Sequence, residues 1–221
     1  MLVTGNIELT IEDVKQVLTL PLPGQAGQIK MAPLPPRELH TDRWIIPDDC
    51  REAGVLLLLY PHILGNGNNE LHIALIRRPE YPGTHGGQVS FPGGQREFGE
   101  TLKETAIRET REEIGVRPET VDVLGRLSKL YTPPSNYCIY PFVAFASSRP
   151  EFRLDVIEVA ELIEVPLQLL LDPSTQKREV WHFENFGERD VPFFDVFGHK
   201  VWGATAMILS EFLTLLQPTE G

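Results

Sequence analysis

The chain has 221 residues, 42% of them hydrophobic, and a formal net charge of −11. This length and composition are ordinary for one globular domain with a full core and an N-terminal extension, and they argue against two small domains. The negative charge argues against a nucleic-acid partner, because duplex binding needs a basic footprint and no long Lys/Arg run is present. An anionic small substrate stays open, since metal ions and a few arginines can reverse the local field.

The cysteines and the chain ends bear on the cellular compartment. Cys50 and Cys138 form neither a disulfide framework nor a zinc site, and neither lies in a CxxC motif, so a reducing compartment is expected. We find no apolar run of about 18 residues, no basic-then-apolar leader and no peroxisomal address at the end. The prediction is a cytoplasmic protein that does not contact a membrane.

The first fifty residues read as an extension that packs on the main domain. Residues 11–20 have helical spacing and stop at Pro21, which predicts a short helix. Residues 21–36 are rich in proline and glycine, so we expect them to run in extended form over the domain. The predicted division is 1–50 for the extension and 51–221 for the domain.

The main domain alternates apolar runs with turn residues. Residues 55–60 and 71–76 are continuous apolar runs separated by a Gly/Asn cluster at 65–69, which predicts a hairpin at the heart of a sheet. Further strands are expected at 121–130, 140–145 and 161–165, and helices at 167–171 and 204–216. Mixed strands with flanking helices indicate the α/β class, as an α/β/α sandwich with a mixed sheet.

A helix is predicted between the second and third of these strands. Thr101 and Glu104 form a capping box, and Gly115 stands where a left-handed C-terminal cap belongs, so the expected helix covers residues 102–114. Leu102, Ala106, Thr110 and Ile114 would form its apolar edge.

Three glutamates follow one another along this helix. Glu109, Glu112 and Glu113 share one stripe, where like charges cost roughly 0.2–0.5 kcal/mol per pair. A divalent cation among them would remove that repulsion. Because the stripe lies beside the apolar edge of the helix, we expect the carboxylates at the rim between core and solvent. The alternative is an ordinary solvated, ion-paired face, which the four-residue spacing of Glu104, Arg108 and Glu112 also fits.

The wider segment resembles a known motif. Gly94, Glu100, Arg108-Glu109, Glu112-Glu113 and Gly115 stand at the spacing of the Nudix box of nucleoside-diphosphate-linked hydrolases, and Thr110 departs from the usual aliphatic residue. This resemblance implies a Nudix fold and hydrolysis of a small nucleotide substrate with Mg²⁺ or Mn²⁺. A binding module that does not hydrolyse is the other reading, but such proteins usually lack one or more box glutamates.

A second resemblance lies upstream of the box. Residues 75–79 and 85–94 look like the signature of coenzyme A diphosphatases, although Gly83 replaces an arginine and Ile76 a threonine. The implied reaction cleaves coenzyme A or its thioesters to 4′-phosphopantetheine and adenosine 3′,5′-bisphosphate. The departures keep ADP-ribose, NADH and oxidised nucleotides open as substrates.

The resemblance also implies roles for individual residues. Glu109, Glu112 and Glu113 would hold the metal with the carbonyl of Gly94, and Glu100 would be an outer ligand. For the glycine pair at 93–94, an ordinary tight turn is the other reading. Arg108 would pair with Glu100 in the catalytic centre. The general base is open: Glu158, in a turn-like region, is a candidate base or extra ligand, or plain surface charge.

The sequence indicates the substrate-binding residues less clearly than the metal-binding ones. Arg77 and Arg78 suit phosphate oxygens, but arginines at a strand end are commonly solvent-exposed. His85 reads more readily as a structural hydrogen-bonding residue than as an acid or base. Tyr131 could stack on a nucleotide, or simply belong to a proline-rich turn. The sequence leaves open whether the chain forms a homodimer.

Overall fold

The computed structural model of the chain describes residues 9–34, 46–63, 69–80, 86–184 and 187–217. The α-helices are α1 (Ile11–Val17), α2 (Gln25–Gln28), α3 (Leu102–Ile114), α4 (Leu167–Leu171) and α5 (Gly203–Leu216). The strands are β1 (Arg51–Ile63), β2 (Asn69–Arg77), β3 (Val89–Ser90), β4 (Gly93–Gln95), β5 (Asp122–Arg126), β6 (Leu130–Thr132), β7 (Tyr137–Phe145), β8 (Glu161–Pro166), β9 (Gln176–Phe183), β10 (Gly187–Val196) and β11 (His199–Trp202).

The main sheet has eight strands and is mixed. Its path runs β3-β2-β1-β7-β5, with β4 paired to β1, β6 to β7 and β8 to β2. The β1–β7 pair is parallel, and the other pairs are antiparallel. The apolar run of β1 explains its central place, because consecutive buried residues need cover on both faces of the sheet. The predicted hairpin of β1 and β2 is confirmed, while its turn at 64–68 lies outside the described residues.

Helices cover both faces of this sheet, so the predicted sandwich is confirmed. On one face, Leu56 and Leu58 pack in one apolar cluster with Ala106 of α3. On the other, Leu57 belongs to a larger cluster with α5. Gly54 lets α3 approach closely, because a Cβ there would overlap the backbone of the first turn of α3. The metal-binding candidates on α3 therefore start from a firmly seated helix.

A second, antiparallel sheet of three strands, β9–β11, was not predicted. Its outer strand β9 begins with four exposed polar residues and lacks the apolar alternation that indicates a strand. Its aromatic residues contact residues that are distant in the sequence: the ring centres of Trp181 and Trp202 lie 5.0 Å apart in an edge-to-face arrangement. Long-range packing thus decided this sheet.

The N-terminal segment differs from its prediction. The helix at residue 11 is present but ends at Val17, and the expected extended stretch instead contains α2 and a 3₁₀ turn at Ile29–Met31. Burial favours the helical form, because Met31 is buried and the Gln28 side chain donates to Glu211 on α5 at 2.8 Å. The division at residue 50 stays a prediction.

The expectation for the cysteines was wrong. Cys50 and Cys138 form a disulfide, with Cα atoms 5.7 Å apart. Cys50 directly precedes β1, and Glu52 pairs with Cys138 on β7, so the parallel strands bring the two residues together. Their separation of 88 residues carries no signal of this in the sequence. No helix within the described ranges is both long and apolar enough to cross a membrane.

Candidate active site

The glutamate helix α3 has the predicted caps. The Thr101 hydroxyl accepts from the backbone N–H of Glu104, whose carboxylate accepts from the backbone N–H of Thr101. Gly115 ends the helix with φ of 73°, which a glycine adopts without strain. These caps set where the helix begins and ends, while the packing of Ala106 and Ile114 against the sheet sets the direction of the glutamate stripe.

Arg108 lies at the centre of the carboxylates. Its Nε donates to Glu100 Oε1 at 2.6 Å, and its Nη1 donates to both Glu109 and Glu112 at 2.8 Å. The predicted pairing with Glu100 is present. This contact holds the pKa of Glu100 down at about 2 and raises the pKa of Arg108. One guanidinium therefore contacts three carboxylates, and its single positive charge leaves negative charge in excess.

The three stripe glutamates differ in depth. The Glu112 side chain is 54% exposed, that of Glu109 16% and that of Glu113 1%. Placing Glu113 at the solvent rim was therefore wrong: its carboxylate turns inward, accepts from the backbone N–H of Gly93 at 2.8 Å and lies 3.5 Å from Arg78. The inward direction of Glu113 depends on how α3 packs on the sheet, which the helical spacing of the glutamates in the sequence does not predict.

Burial makes two of these carboxylates costly to ionise. It raises the pKa of Glu113 to about 7, with the Gly93 N–H and Arg78 opposing the shift. It also raises the pKa of Glu109, although Arg108 lowers it. A buried carboxylate has lost the water that stabilises its charge, so a cation that binds beside it lowers the energy of the ionised form.

The residues present fit a hard divalent cation. Carboxylate oxygens and a main-chain carbonyl are the donors that Mg²⁺ and Mn²⁺ prefer. Gly94 lies against Glu109 so closely that a Cβ at residue 94 would overlap the carboxylate. Within the described ranges, no three acidic, histidine or cysteine side chains are arranged as a ready metal cage. The Nη1 of Arg108 contacts both Glu109 and Glu112, so a guanidinium lies between these two carboxylates in the present arrangement.

Glu158 stands in a loop that is tied to the end of α3. The backbone N–H of Asp155 donates to the Glu113 carbonyl at 3.0 Å, and that of Glu158 donates to the Asp155 carbonyl at 3.1 Å. The Glu158 carboxylate is close enough to raise the pKa of both Glu109 and Glu113. The structure therefore brings this exposed residue to the cluster, while its role as base stays a prediction.

The candidate substrate-binding residues differ in the partners that they contact. Arg77 Nε donates to Glu161 at 2.9 Å, and Arg78 lies 3.4 Å from the carbonyl of Gly93 as well as near Glu113. Each arginine thus has an acidic neighbour, but only that of Arg78, Glu113, belongs to the cluster, and each arginine is part-buried. The Tyr131 hydroxyl donates to Asn136 within its own turn. His85 lies outside the described residues.

Sequence reasoning missed a support chain beside the glutamates. Arg96 donates to Glu52 on β1 at 2.7 Å and to the Glu100 carbonyl at 2.6 Å. The Gln95 carbonyl accepts from Arg108 at 3.2 Å. Arg96 and Glu52 are far apart in the chain, and only the antiparallel pairing of β4 with β1 makes them neighbours.

Comparisons with known proteins agree with this geometry. The family model described as the NUDIX domain matches residues 62–183. The chain is 29% identical over 191 residues to Nudix hydrolase 3 of Caenorhabditis elegans, covering 80% of this chain and 78% of the relative. It is 35% identical over 173 residues to the human "Mitochondrial coenzyme A diphosphatase NUDT8", covering 76% and 66%.

A bacterial relative covers a larger share of its own length. The "Uncharacterized Nudix hydrolase NudL" of Photorhabdus laumondii is 30% identical over 195 residues, covering 86% of this chain and 94% of the relative. The matched region spans β2, the capped helix α3 and the carboxylates around Arg108. The chain therefore belongs to the Nudix hydrolase family.

Proposed function

We propose that this Nudix hydrolase is a Mg²⁺- or Mn²⁺-dependent diphosphatase of coenzyme A or its thioesters. The products would be 4′-phosphopantetheine, or its acyl form, and adenosine 3′,5′-bisphosphate. The observation that carries the reaction type is the excess of carboxylates over cations around Arg108, next to the Gly94 backbone. Such a cluster suits a reaction in which a cation must meet a diphosphate.

The chain's own residues would divide the work. Glu109, Glu112 and Glu113 would hold the metal with the Gly94 carbonyl, and Glu100 would hold Arg108 in place. When bound, the ion would neutralise the non-bridging phosphate oxygens and help to position the attacking water.

Proton transfer needs a separate group. Glu158 is exposed on a loop tied to α3, so its carboxylate is free to accept a proton from water at the edge of the cluster.

The upstream arginines would orient the substrate. Arg77 is the last residue of β2 and Arg78 follows it directly, and the two guanidiniums contact different carboxylates, those of Glu161 and Glu113. Arg78 is engaged with Glu113, so it acts at the metal end. Arg77 is held by Glu161 and is the better candidate for a phosphate of the nucleotide.

Coenzyme A is favoured among Nudix substrates by two supports. One is the upstream signature at residues 75–79 and 85–94, and the other is the similarity to a relative named as a coenzyme A diphosphatase. The glycine at residue 83 departs from that signature, so ADP-ribose, NADH and oxidised nucleotides are the alternative substrates. A non-hydrolysing binding module is disfavoured, because every box glutamate is present.

Parallel incubation with coenzyme A, ADP-ribose and NADH tests the proposal. With Mg²⁺ or Mn²⁺, coenzyme A should be consumed fastest, and EDTA should stop the reaction. Consumption of another dinucleotide while coenzyme A stays intact would contradict the substrate assignment. Turnover unaffected by EDTA would contradict the metal assignment.

We further propose a cytoplasmic enzyme that acts on small nucleotides, and leave a homodimer as the open alternative to a monomer. The cysteine argument for a reducing compartment no longer supports that location, because the two cysteines are paired. Fractionation of cells and light scattering of the purified protein test these two points.

A further inference from the structure

The disulfide borders a pocket beside the candidate active site. The pocket has a volume of about 550 Å³ and is lined by Cys50, Arg51, Glu52 and residues 95–99. Cys138, by contrast, is fully buried. A small molecule that enters the pocket therefore meets Cys50 first, while Cys138 is shielded by β7 and its neighbours.

Arg51 is the positive charge that lies next to Cys50 along the pocket wall. Glu52 is paired with Arg96 at 2.7 Å, and Glu97 also lines the pocket, in the loop after β4. Arg51, next to Cys50 in the chain, has no carboxylate partner among the described residues; its guanidinium lies 4.0 Å from the centre of the Tyr137 ring. The attacking species is the thiolate of the small thiol, and the Arg51 guanidinium attracts that thiolate towards the Cys50 sulfur.

The disulfide is also connected to the glutamates by short contacts. Glu52, two residues after Cys50, binds Arg96, which donates to the Glu100 carbonyl, while the Glu100 carboxylate holds Arg108. Glu52 is in addition the register partner of Cys138. Opening the disulfide removes the covalent link between β7 and the residue that precedes β1, close to Glu52, from which this chain of contacts begins; the pairing of β1 with β7 and β4 remains.

We propose that Cys50 is a site of thiol–disulfide exchange with low-molecular-weight thiols, and that exchange there lowers turnover at the glutamate cluster. A thiolate attacks the Cys50 sulfur, a mixed disulfide forms, and the bond to Cys138 breaks. Cys138 leaves as a thiolate, and its protonation balances the proton that the attacking thiol lost. A second thiol releases Cys50 and leaves the reagent as its symmetric disulfide, so electrons balance. This goes beyond the proposed function and does not depend on which substrate is hydrolysed.

Peptide mapping of the oxidised full chain tests the chemistry. After brief exposure to glutathione, ended before a second thiol releases Cys50, and alkylation with iodoacetamide in denaturant, we expect the glutathione adduct on Cys50 and the alkyl group on Cys138. Adducts found on Cys138 instead, or an intramolecular disulfide that survives a large excess of glutathione, would overturn the proposal. The Arg51→Gln variant should form the adduct about threefold more slowly; an unchanged rate would contradict the electrostatic part.

Turnover measurements test the link to the active site. The substrate should carry no free thiol, so S-acyl coenzyme A or ADP-ribose is used, whichever the protein hydrolyses. Exchange should lower kcat/KM about tenfold, less than the hundredfold that a 1 Å misplacement can cost. The Cys50→Ser/Cys138→Ala double variant should start at that lower value and ignore glutathione. Equal kcat/KM before and after confirmed adduct formation would refute the coupling.

Discussion

Two arginine–carboxylate networks in this molecule differ in how well they are balanced. At one end of the main sheet, Arg149 makes two hydrogen bonds of 2.7 Å to the Glu164 carboxylate, which also accepts from the Tyr60 hydroxyl at 2.9 Å. At the other, Arg108 alone serves Glu100, Glu109 and Glu112. The first network has one cation for one carboxylate, and the second has one for three.

The pKa directions reflect this difference. Burial raises the pKa of Glu164, but hydrogen bonds from Arg149 and Tyr60 outweigh it, so the pKa is lowered overall. At Glu109 and Glu113 burial wins, and both pKa values are raised. Carboxylates that are fully paired with cations stabilise the fold, whereas carboxylates in excess over cations would be stabilised by binding a further cation. The contrast supports a structural role for the Arg149–Glu164 network and the proposed metal-binding role for the carboxylates around Arg108.

The Glu112→Gln substitution should have the largest effect on activity. An amide is a weaker ligand for a hard cation than a carboxylate, so kcat should fall about 10³-fold at saturating Mg²⁺. The side chain is 54% exposed, so the free energy of unfolding should change by less than about 0.5 kcal/mol. Glu119→Gln, also exposed and acidic, is the control that keeps full activity. Unaltered kcat in Glu112→Gln would remove the metal assignment.

Substituting Gly94 should also impair catalysis. In Gly94→Ala the new Cβ meets the Glu109 carboxylate, which must move, and we expect kcat to fall about 10²-fold. Gly125→Ala is the matched control, since its Cβ would make only ordinary contacts with Leu18. Steady-state kinetics on both variants decides: equal activities would show that the closeness of Gly94 to Glu109 has no catalytic importance.

Breaking the balanced network should change stability and leave activity alone. In Arg149→Met the Glu164 carboxylate loses two hydrogen bonds, and the free energy of unfolding should fall by about 1–2 kcal/mol, discounted for the exposure of Arg149. Because the folded pKa of Glu164 is lowered, this difference is full above the ordinary value of 4.5 and shrinks as pH falls. Urea titrations at several pH values measure this difference in the free energy of unfolding. A large loss of kcat in Arg149→Met would contradict a purely structural role for this network.

The smallest effects should come from the two capping boxes. Thr101→Ala and Thr10→Ala each remove a side chain that accepts from a helix backbone N–H, at a cost of about 1 kcal/mol. Only Thr101→Ala should also lower kcat, by about twofold to fivefold, because α3 carries the glutamates while α1 does not. Thermal unfolding and kinetics of the pair test this. A kcat that is unchanged in both variants would show that fraying of α3 does not affect the site, and an equal loss in both would show that the effect is not specific to α3.

Much of the core fold and of the site's outline was accessible from local pattern. The bounds of α3 follow from Thr101 and Gly115, and the β1–β2 hairpin follows from two apolar runs. The three-stranded sheet was missed because β9 is polar at its start, and α2 was missed because proline and glycine around it favour extended chain. In both cases burial against distant residues outweighed the local preference.

The sequence by itself determined the helix, its caps and the stripe of carboxylates, since each depends on residues within a few turns of one another. Only the tertiary structure decided the depth of Glu113, the sharing of Arg108 among three carboxylates, and the pairing of Cys50 with Cys138. These depend on which strands lie side by side, and strand pairing is a property of the whole core, which no short stretch of the chain encodes.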